Sequence, residues 1–392
     1  MSIKVKKRHG AWNKIVSPII TKLIKKKFNY TYEEYDIEPP YIVLGNHTTD
    51  YDAFFIAKSF KDPLYFVMSD HISSIPVAGK LIRHLVNPIP ITKSTYDATT
   101  VRGIMSVIKQ GAPVALFPEG NKSWAGEMSK MKPTIAKLLK KLNVPVVIYN
   151  IEGGYFSSPR WTKVKRLGNV HGRVKTVIKP EEIEKMSAEE LFSVIEKELR
   201  VNAYEVQEKK KIEYIAEDLA KNIEALLYVC PKCKAISSLH GEGNSFKCDK
   251  CDFEATYDTY GYIHGAPSDR LDILDKMQKE YVFSVDWSKY GENDLITADD
   301  GFLLKLKLDK YKNKKLGEFR LEMYNNRFEL KNKKETIIIP FELVKGYAIE
   351  GANGIQLSLS DGRVYRFNNL NPASGLKYVN ILCAITGLEL KF

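Results

Sequence analysis

Pro40-Tyr41-Ile42-Val43-Leu44-Gly45-Asn46-His47-Thr48-Thr49-Asp50-Tyr51-Asp52 decides the fold. Apolar residues run unbroken from Tyr41 to Leu44 and stop at Gly45, the pattern of a strand buried on both faces. Tyr51 to Ser59 reads as a helix. His47 then sits on a strand-to-helix turn, with Asp52 in or near the first helical turn, where its carboxylate folds back toward the imidazole. In open α/β sheets ligands gather beyond the carboxyl ends of the strands, so the pair lies where chemistry is expected.

Pro113-Val114-Ala115-Leu116-Phe117 reads as a second buried strand, broken sharply by Pro118-Glu119-Gly120 and followed by Asn121-Lys122-Ser123. The two segments suit one chemistry. A neutral imidazole hydrogen-bonded to a hydroxyl makes that hydroxyl nucleophilic, because its pKa lies near neutrality. A carboxylate on the other ring nitrogen fixes the tautomer and steadies the imidazolium, as in a triad whose serine is replaced by the substrate. Lys122 offers a cation, which holds a phosphate as a point charge rather than as a bidentate fork. Taken alone, His47 and Asp52 also read as a surface-turn histidine and a helix-start carboxylate, and the Pro118 break as an ordinary turn.

In order and spacing the segments resemble the N-H-x4-D and F-P-E-G-x-R-S boxes of the glycerolipid acyltransferases. Two flanking stretches resemble further blocks of that family, Asn87-Pro88-Ile89-Pro90-Ile91-Thr92-Lys93 and Val144-Pro145-Val146-Val147-Ile148-Tyr149. Lysine stands at 93 and 122 where the family has arginine, and Ile148 replaces a second proline. The resemblance covers roughly residues 30 to 200. It implies an α/β acyltransferase domain with His47 as general base and Asp52 as its orienter. It also implies that Glu119 and Gly120 shape the acceptor site and that Lys93 and Lys122 hold a phosphate. The implied reaction moves a fatty acyl group from acyl-carrier protein or acyl-CoA to 1-acyl-sn-glycerol 3-phosphate, giving phosphatidic acid.

The chain has 392 residues and a net charge of +12, a length that suits two or three domains. No apolar run approaches the ~18 residues that span a bilayer. The basic start has no apolar signal core behind it, so the expected location is the cytoplasm. Residues 1–27 hold nine Lys or Arg and no acidic residue. Trp12, Ile15, Val16, Ile19, Ile20, Leu23, Ile24 and Phe28 recur at helical spacing in or beside that stretch. A basic helix with one apolar face suits an anionic membrane interface, here the inner face; the plain alternative is a helix packed on its own domain. No nucleic acid is expected, since a nucleic-acid arm would not need the stripe.

Glu181 to Ala203, with Ser187 as cap, and Val206 to Tyr228 read as helices linking the first domain to the C-terminal half. Cys230-Pro231-Lys232-Cys233 and Cys248-Asp249-Lys250-Cys251 then form C-x2-C-x14-C-x2-C. That spacing suits a four-cysteine zinc ribbon, closed and therefore structural, with an iron–sulfur centre as the alternative. Structural disulfides do not suit a cytosolic chain, and a thioredoxin-like site needs one pair. His240 reads as a loop residue rather than a ligand, and Cys383 as core. Ribbons also bind nucleic acids and proteins, so a recognition role stays open.

Short strands come next at Phe302–Leu308, Glu318–Met323, Arg327–Leu330, Thr336–Phe341, Ile355–Leu359 and Val364–Phe367. Hairpin signals at Asn325-Asn326 and Asp361-Gly362 separate them, and a helix closes the series at Pro372 to Ile385. This order suits a small pleckstrin-homology-type barrel. The expected division is a basic interface segment at 1–29, an acyltransferase domain at 30–205, a linker helix at 206–229, a zinc ribbon at 230–265 and a β domain at 266–392. Two other functions stay in play: acylation of another lysolipid or a glycolipid, and a non-catalytic lipid-binding or scaffold protein.

Overall fold

Ile42–Gly45 is the middle strand of a seven-stranded sheet. The computed structural model describes residues 3–5, 18, 22, 24–69, 87–91, 98–309, 312–369, 371 and 373–390. The strands of this first sheet are β1 (Tyr30–Tyr32), β2 (Ile42–Gly45), β3 (Tyr65–Ser69), β4 (Ile89–Ile91), β5 (Val114–Leu116), β6 (Val146–Glu152) and β7 (Val170–Ile178). Their spatial order is β1-β7-β6-β2-β5-β3-β4. Strands β6, β2, β5, β3 and β4 are parallel, with Ile42 level with Val114 on one side and Val146 on the other. β7 runs antiparallel to β6, and β1 parallel to β7.

The unbroken apolar run of β2 is explained by the two cores that cover it. Ile42 and Leu44 face one with Val114, Leu116, Val146 and Ile148, closed by the helices Ala98–Lys109, Thr134–Leu142 and Ala188–Leu199. Tyr41 and Val43 face a second core with Phe55, Ile56, Phe66 and Tyr149. A strand between two dry faces needs no polar alternation. At its end Gly45 is packed so closely that a Cβ would lie 2.5 Å from Ile56 Cδ1.

Ile24 and Phe28, the last members of the N-terminal apolar stripe, lie in a helical stretch at 24–28 and are buried in this second core. That end of the stripe therefore packs on its own domain. Trp12, Ile15, Val16, Ile19, Ile20 and Leu23 lie outside the described residues.

The helical stretch 181–203 is two helices, Pro180–Lys185 and Ala188–Leu199. They part where Met186 is extended and Ser187 caps the second with a reciprocal bond to Glu190. The helix expected over Val206–Tyr228 is a correction: it occupies Ala203–Lys210 and stops with Lys211 in the left-handed region. Beyond the stop the amides find partners other than helical carbonyls. Gln207 bonds both the N–H and the C=O of Ile212, Tyr214 N–H donates to Thr259 O, and Ala220 N–H to Gly243 O. Apolar residues recur here at helical spacing; Leu219, Ile223, Leu226 and Leu227 are buried, but from an irregular strap, while Ile215 is exposed. Tertiary hydrogen bonding has overridden a helical pattern whose first turns are rich in lysine and glutamate.

The strap leads to a four-stranded antiparallel sheet: β8 (Leu239–Glu242), β9 (Ser245–Cys248), β10 (Glu254–Tyr257) and β11 (Ile263–His264). His240 is on β8, with Nε2 3.4 Å from Asp249. The helix Leu271–Ser284, which no sequence signal had marked, leads into the last sheet. That sheet holds β12 (Thr297–Lys307), β13 (Asn313–Met323), β14 (Arg327–Lys331), β15 (Thr336–Pro340), β16 (Val344–Glu350), β17 (Gly354–Leu359) and β18 (Val364–Asn369). All pairs are antiparallel, in the order β15-β14-β13-β12-β18-β17-β16. β15 and β16 stand at opposite ends, so among the described residues no pairing closes a barrel. The last helix, Gly375–Thr386, is buried along most of its length, Cys383 included. One apolar core joins Trp124, Tyr155 and Trp161 of the first domain to the four-stranded sheet and the last sheet.

Candidate functional site

β2 ends at Gly45, and Asn46 ties its continuation to β6: its side chain donates to Ile151 O at 3.0 Å and accepts from Ile151 N–H at 2.7 Å. His47 comes next, with its side chain about a quarter exposed, and the helix Asp52–Ala57 begins five residues later. His47 Nδ1 lies 2.8 Å from Asp52 Oδ2. Asp52 is fully buried and accepts from Thr48 N–H at 2.6 Å, Thr49 N–H at 2.9 Å and Thr49 Oγ1 at 2.7 Å. A buried carboxylate ringed by donors is fixed in place. With Nδ1–H donated to it, the basic lone pair of the imidazole is on Nε2. Phe117 stacks on the ring, 4.2 Å between centroids and 16° between planes, and limits its rotation.

The second segment is bound to the first through backbone. Gly120 closes the turn after β5, with φ +68, where a Cβ would be strained, and its N–H donates to Phe117 O at 3.0 Å. Glu119 points back under the site. Its two oxygens accept from His47 N–H at 2.6 Å and from Ser129 N–H at 2.8 Å. Ser123 N–H donates to His47 O at 2.8 Å. The backbone of His47 is therefore clamped on both sides by the Pro118–Ser123 segment.

Burial pushes the Glu119 carboxyl up to about 8, against the pull of its two backbone N–H donors. A carboxyl whose folded pKa lies above its ordinary value favours the fold at low pH and loses that contribution as pH rises toward 8. Gln has no charge to desolvate, but its NH2 must face one of the two backbone donors, which costs about 1–3 kcal/mol. Glu119→Gln is therefore expected to unfold at a lower temperature than wild type at pH 5, with the gap narrowing by pH 8. Thermal unfolding at the two pH values checks this; a gap that widens with pH contradicts it.

Lys122 is largely buried, with only 15% of its side chain exposed, and its Nζ lies 2.7 Å from Oδ1 of Asp50, whose side chain is 72% exposed. Burial, then the Arg160 charge, lower the Lys122 pKa against the pull of Asp50. Asp50 is crowded by protein atoms although its surface is open to solvent; that desolvation raises its carboxyl, but Lys122 outweighs it and holds Asp50 below the usual carboxylate range. Arg160 is buried behind this pair. Its Nη1 donates to Lys122 O at 3.0 Å, its Nε to Gly351 O at 2.7 Å and its Nη2 to Ile349 O at 3.1 Å, and its guanidinium lies 4.1 Å from the Trp124 ring centroid. Burial pushes its pKa down to about 9. Arg160 thus joins the Lys122 loop to the β16–β17 turn of the last sheet. Lys165 is held by Ser158 at 2.6 Å, and its charge acts on Asp50 as well.

Of the residues singled out by sequence, His47, Asp52, Glu119, Gly120 and Lys122 come together here, while Lys93 lies outside the described residues. Asp50 was hidden in the spacer of the first box, and Arg160 and Lys165 carry no local motif; only the fold brings them in.

Cys230, Cys233, Cys248 and Cys251 form a second cluster, with all four Sγ atoms within 4.8 Å of one another. Cys230 lies 3.8 Å from Cys251 and Cys233 3.7 Å from Cys248. A disulfide needs about 2.05 Å. Four thiolates about 2.3 Å from one tetrahedral ion sit about 3.8 Å apart. The cluster therefore fits a metal ion with all positions filled by protein.

No helix among the described residues is long and apolar enough to cross a membrane. The family model "Acyltransferase" matches residues 26–151. Over 147 residues the chain is 27% identical to the 1-acyl-sn-glycerol-3-phosphate acyltransferase of Pseudomonas aeruginosa, a match that covers 36% of this chain and 54% of that protein. The chain thus spans about half the length of this curated relative. The crystal structure of the 1-acyl-sn-glycerophosphate acyltransferase PlsC from Thermotoga maritima is similar at 23% identity and a TM-score of 0.41, over 53% of this chain and 84% of that one. The stretch that matches, residues 26–151, carries the His47–Asp52 pair and the Glu119 turn and is similar to the glycerolipid acyltransferases.

Proposed function

We propose that this chain is an O-acyltransferase that moves a fatty acyl group from an acyl thioester to the free hydroxyl of a lysophospholipid, 1-acyl-sn-glycerol 3-phosphate, giving phosphatidic acid. The observation that carries the reading is the His47–Asp52 pair, 2.8 Å apart at the end of the central strand and clamped by the Pro118–Ser123 segment. His47 Nε2 removes the proton of the acceptor hydroxyl as its oxygen attacks the thioester carbonyl, and Asp52 steadies the imidazolium. The carbon–sulfur bond breaks and the thiol leaves with a proton. No nucleophile of the enzyme is required. Glu119 and Gly120 shape the acceptor site, and Lys122, with Lys93, holds the phosphate. The P. aeruginosa relative supports this acceptor; another lysolipid or a glycolipid is the alternative.

Each remaining part of the chain has its own role. Residues 1–29 contact an anionic membrane surface at the cytoplasmic face, on the strength of their nine cations. Residues 30–205 are catalytic, and 206–229 form the connecting strap. Residues 230–265 bind one structural zinc, for which the sulfur spacing is the support. Residues 266–392 are a pleckstrin-homology-type module, supported by an antiparallel ladder followed by one helix.

The test offers purified protein acyl-carrier-protein and coenzyme A thioesters against a panel of lysolipids and monoacylglycerol, with products read by mass spectrometry. Phosphatidic acid formed in preference to the other products supports the reading. Transfer only to an uncharged or glycolipid acceptor overturns the choice of acceptor. Cosedimentation with vesicles of acidic lipid, strong at low salt and weak at high salt, checks the surface contact; binding that salt leaves unchanged refutes it.

A further inference from the structure

The ion pair beside the catalytic candidates is uneven. Lys122 is largely buried, whereas its partner Asp50 is mostly in solvent. Among the described residues the lysine is the side chain bonded to the Asp50 carboxylate, and a partly exposed pair contributes on the order of 1 kcal/mol. The cations around it exceed it in number. Arg160 spends its donors on the main-chain carbonyls of Lys122, Ile349 and Gly351, so among the described residues no carboxylate in contact cancels its charge. Lys165 is held by the neutral Ser158, and its charge acts on Asp50 and Lys122. Lys122 thus contacts one exposed carboxylate, and the charges of Arg160 and Lys165 act on the same group, three residues from His47. Such a set of cations is better matched by a dianion than by one aspartate.

We propose that Asp50 is a built-in stand-in for substrate: it occupies the Lys122 ammonium when the site is vacant, and a phosphate monoester of a bound substrate displaces it. The inference rests on the reading of Lys122 as a phosphate holder and adds a residue that sets selectivity. Asp50 tunes how much anionic charge a substrate must bring. A phosphomonoester, with two charges, competes successfully; an uncharged group leaves the pair intact. Lys165 and Arg160 then add their charge to the phosphate, Arg160 from behind through the field alone.

Asp50→Asn keeps the shape and removes the competitor. The KM for a phosphomonoester acceptor is expected to fall about three- to tenfold, the fold-change equivalent of a partly exposed ion pair. The KM for monoacylglycerol is expected not to follow it, and Asp50→Glu to restore wild-type selectivity. A fall in the KM of a coenzyme A thioester instead assigns the phosphate to the donor. Calorimetric titration with inorganic phosphate, which needs no turnover, is expected to show tighter binding to Asp50→Asn than to wild type. Tighter phosphate binding in a protein that acylates no acceptor keeps this inference and sinks the proposed reaction. Phosphate binding that is unchanged or weaker in Asp50→Asn overturns the inference and makes Asp50 a structural partner that holds Lys122 in place.

Discussion

His47→Ala is expected to lower kcat by about 10²- to 10⁴-fold, the usual worth of a positioned general base, with the fold retained. The expectation of an intact fold comes from the contacts of the side chain. The backbone of His47 carries the bonds to Glu119 and Ser123, and these survive truncation. Asp52 keeps its donors from Thr48 and Thr49. Asp52→Asn is the informative contrast. Asparagine has one acceptor oxygen where the carboxylate serves His47 Nδ1, two backbone N–H groups and two hydroxyls, and its NH2 would face a donor. That variant is expected to lose both turnover and several degrees of thermal stability, while His47→Ala loses turnover alone. Steady-state kinetics beside thermal unfolding separate the two. Near wild-type turnover in folded His47→Ala removes the imidazole from the mechanism.

Cys230→Ser combined with Cys233→Ser is expected to abolish binding of the proposed zinc, one ion per chain, and to unfold much of the C-terminal half. Binding free energies at four-ligand zinc sites run to about 10 kcal/mol or more and are folding free energy, as large as the whole stability of an ordinary domain. The location amplifies the loss. Cys230 and Cys248 belong to the same apolar core as Phe246, Phe253 and the strands of the last sheet, so the ribbon is not an isolated appendage. Through Arg160 and the β16–β17 turn the damage also has a route to the Lys122 loop. Elemental analysis with chemical denaturation checks this. Iron in place of zinc, or a folded preparation without metal, contradicts it.

Legibility in the sequence depended on how local each signal was. The central strand, the helix after His47 and the sharp turn at Gly120 are all encoded in contiguous residues, because burial on both faces and a left-handed φ leave marks at single positions. The four cysteines came from spacing alone. The strap after Lys210 departs from its expected helix because its apolar residues keep a helical period while their amides bond to the loop after β10, to the turn before β9 and to a side chain of the preceding helix. β16 and the helix Leu271–Ser284 carry no local mark: β16 is buried almost throughout and comes after β15 with a single short turn between, and the helix has no side-chain cap. In the site, Asp50, Arg160 and Lys165 were beyond reach for a different reason. Their roles rest on partners 72, 38 and 7 residues away, and no periodicity encodes such pairs.

The most direct test of acyl transfer tracks both substrates in one reaction. Wild-type protein is incubated with a long-chain acyl thioester and 1-acyl-sn-glycerol 3-phosphate, and the lipids and the intact protein are weighed by mass spectrometry. The expected result is a lysolipid heavier by one acyl group, with free thiol in equal amount and the protein mass unchanged. Thioester consumed to free fatty acid while the lysolipid keeps its mass would contradict the account, since water rather than the lipid hydroxyl would then be the acceptor that His47 serves.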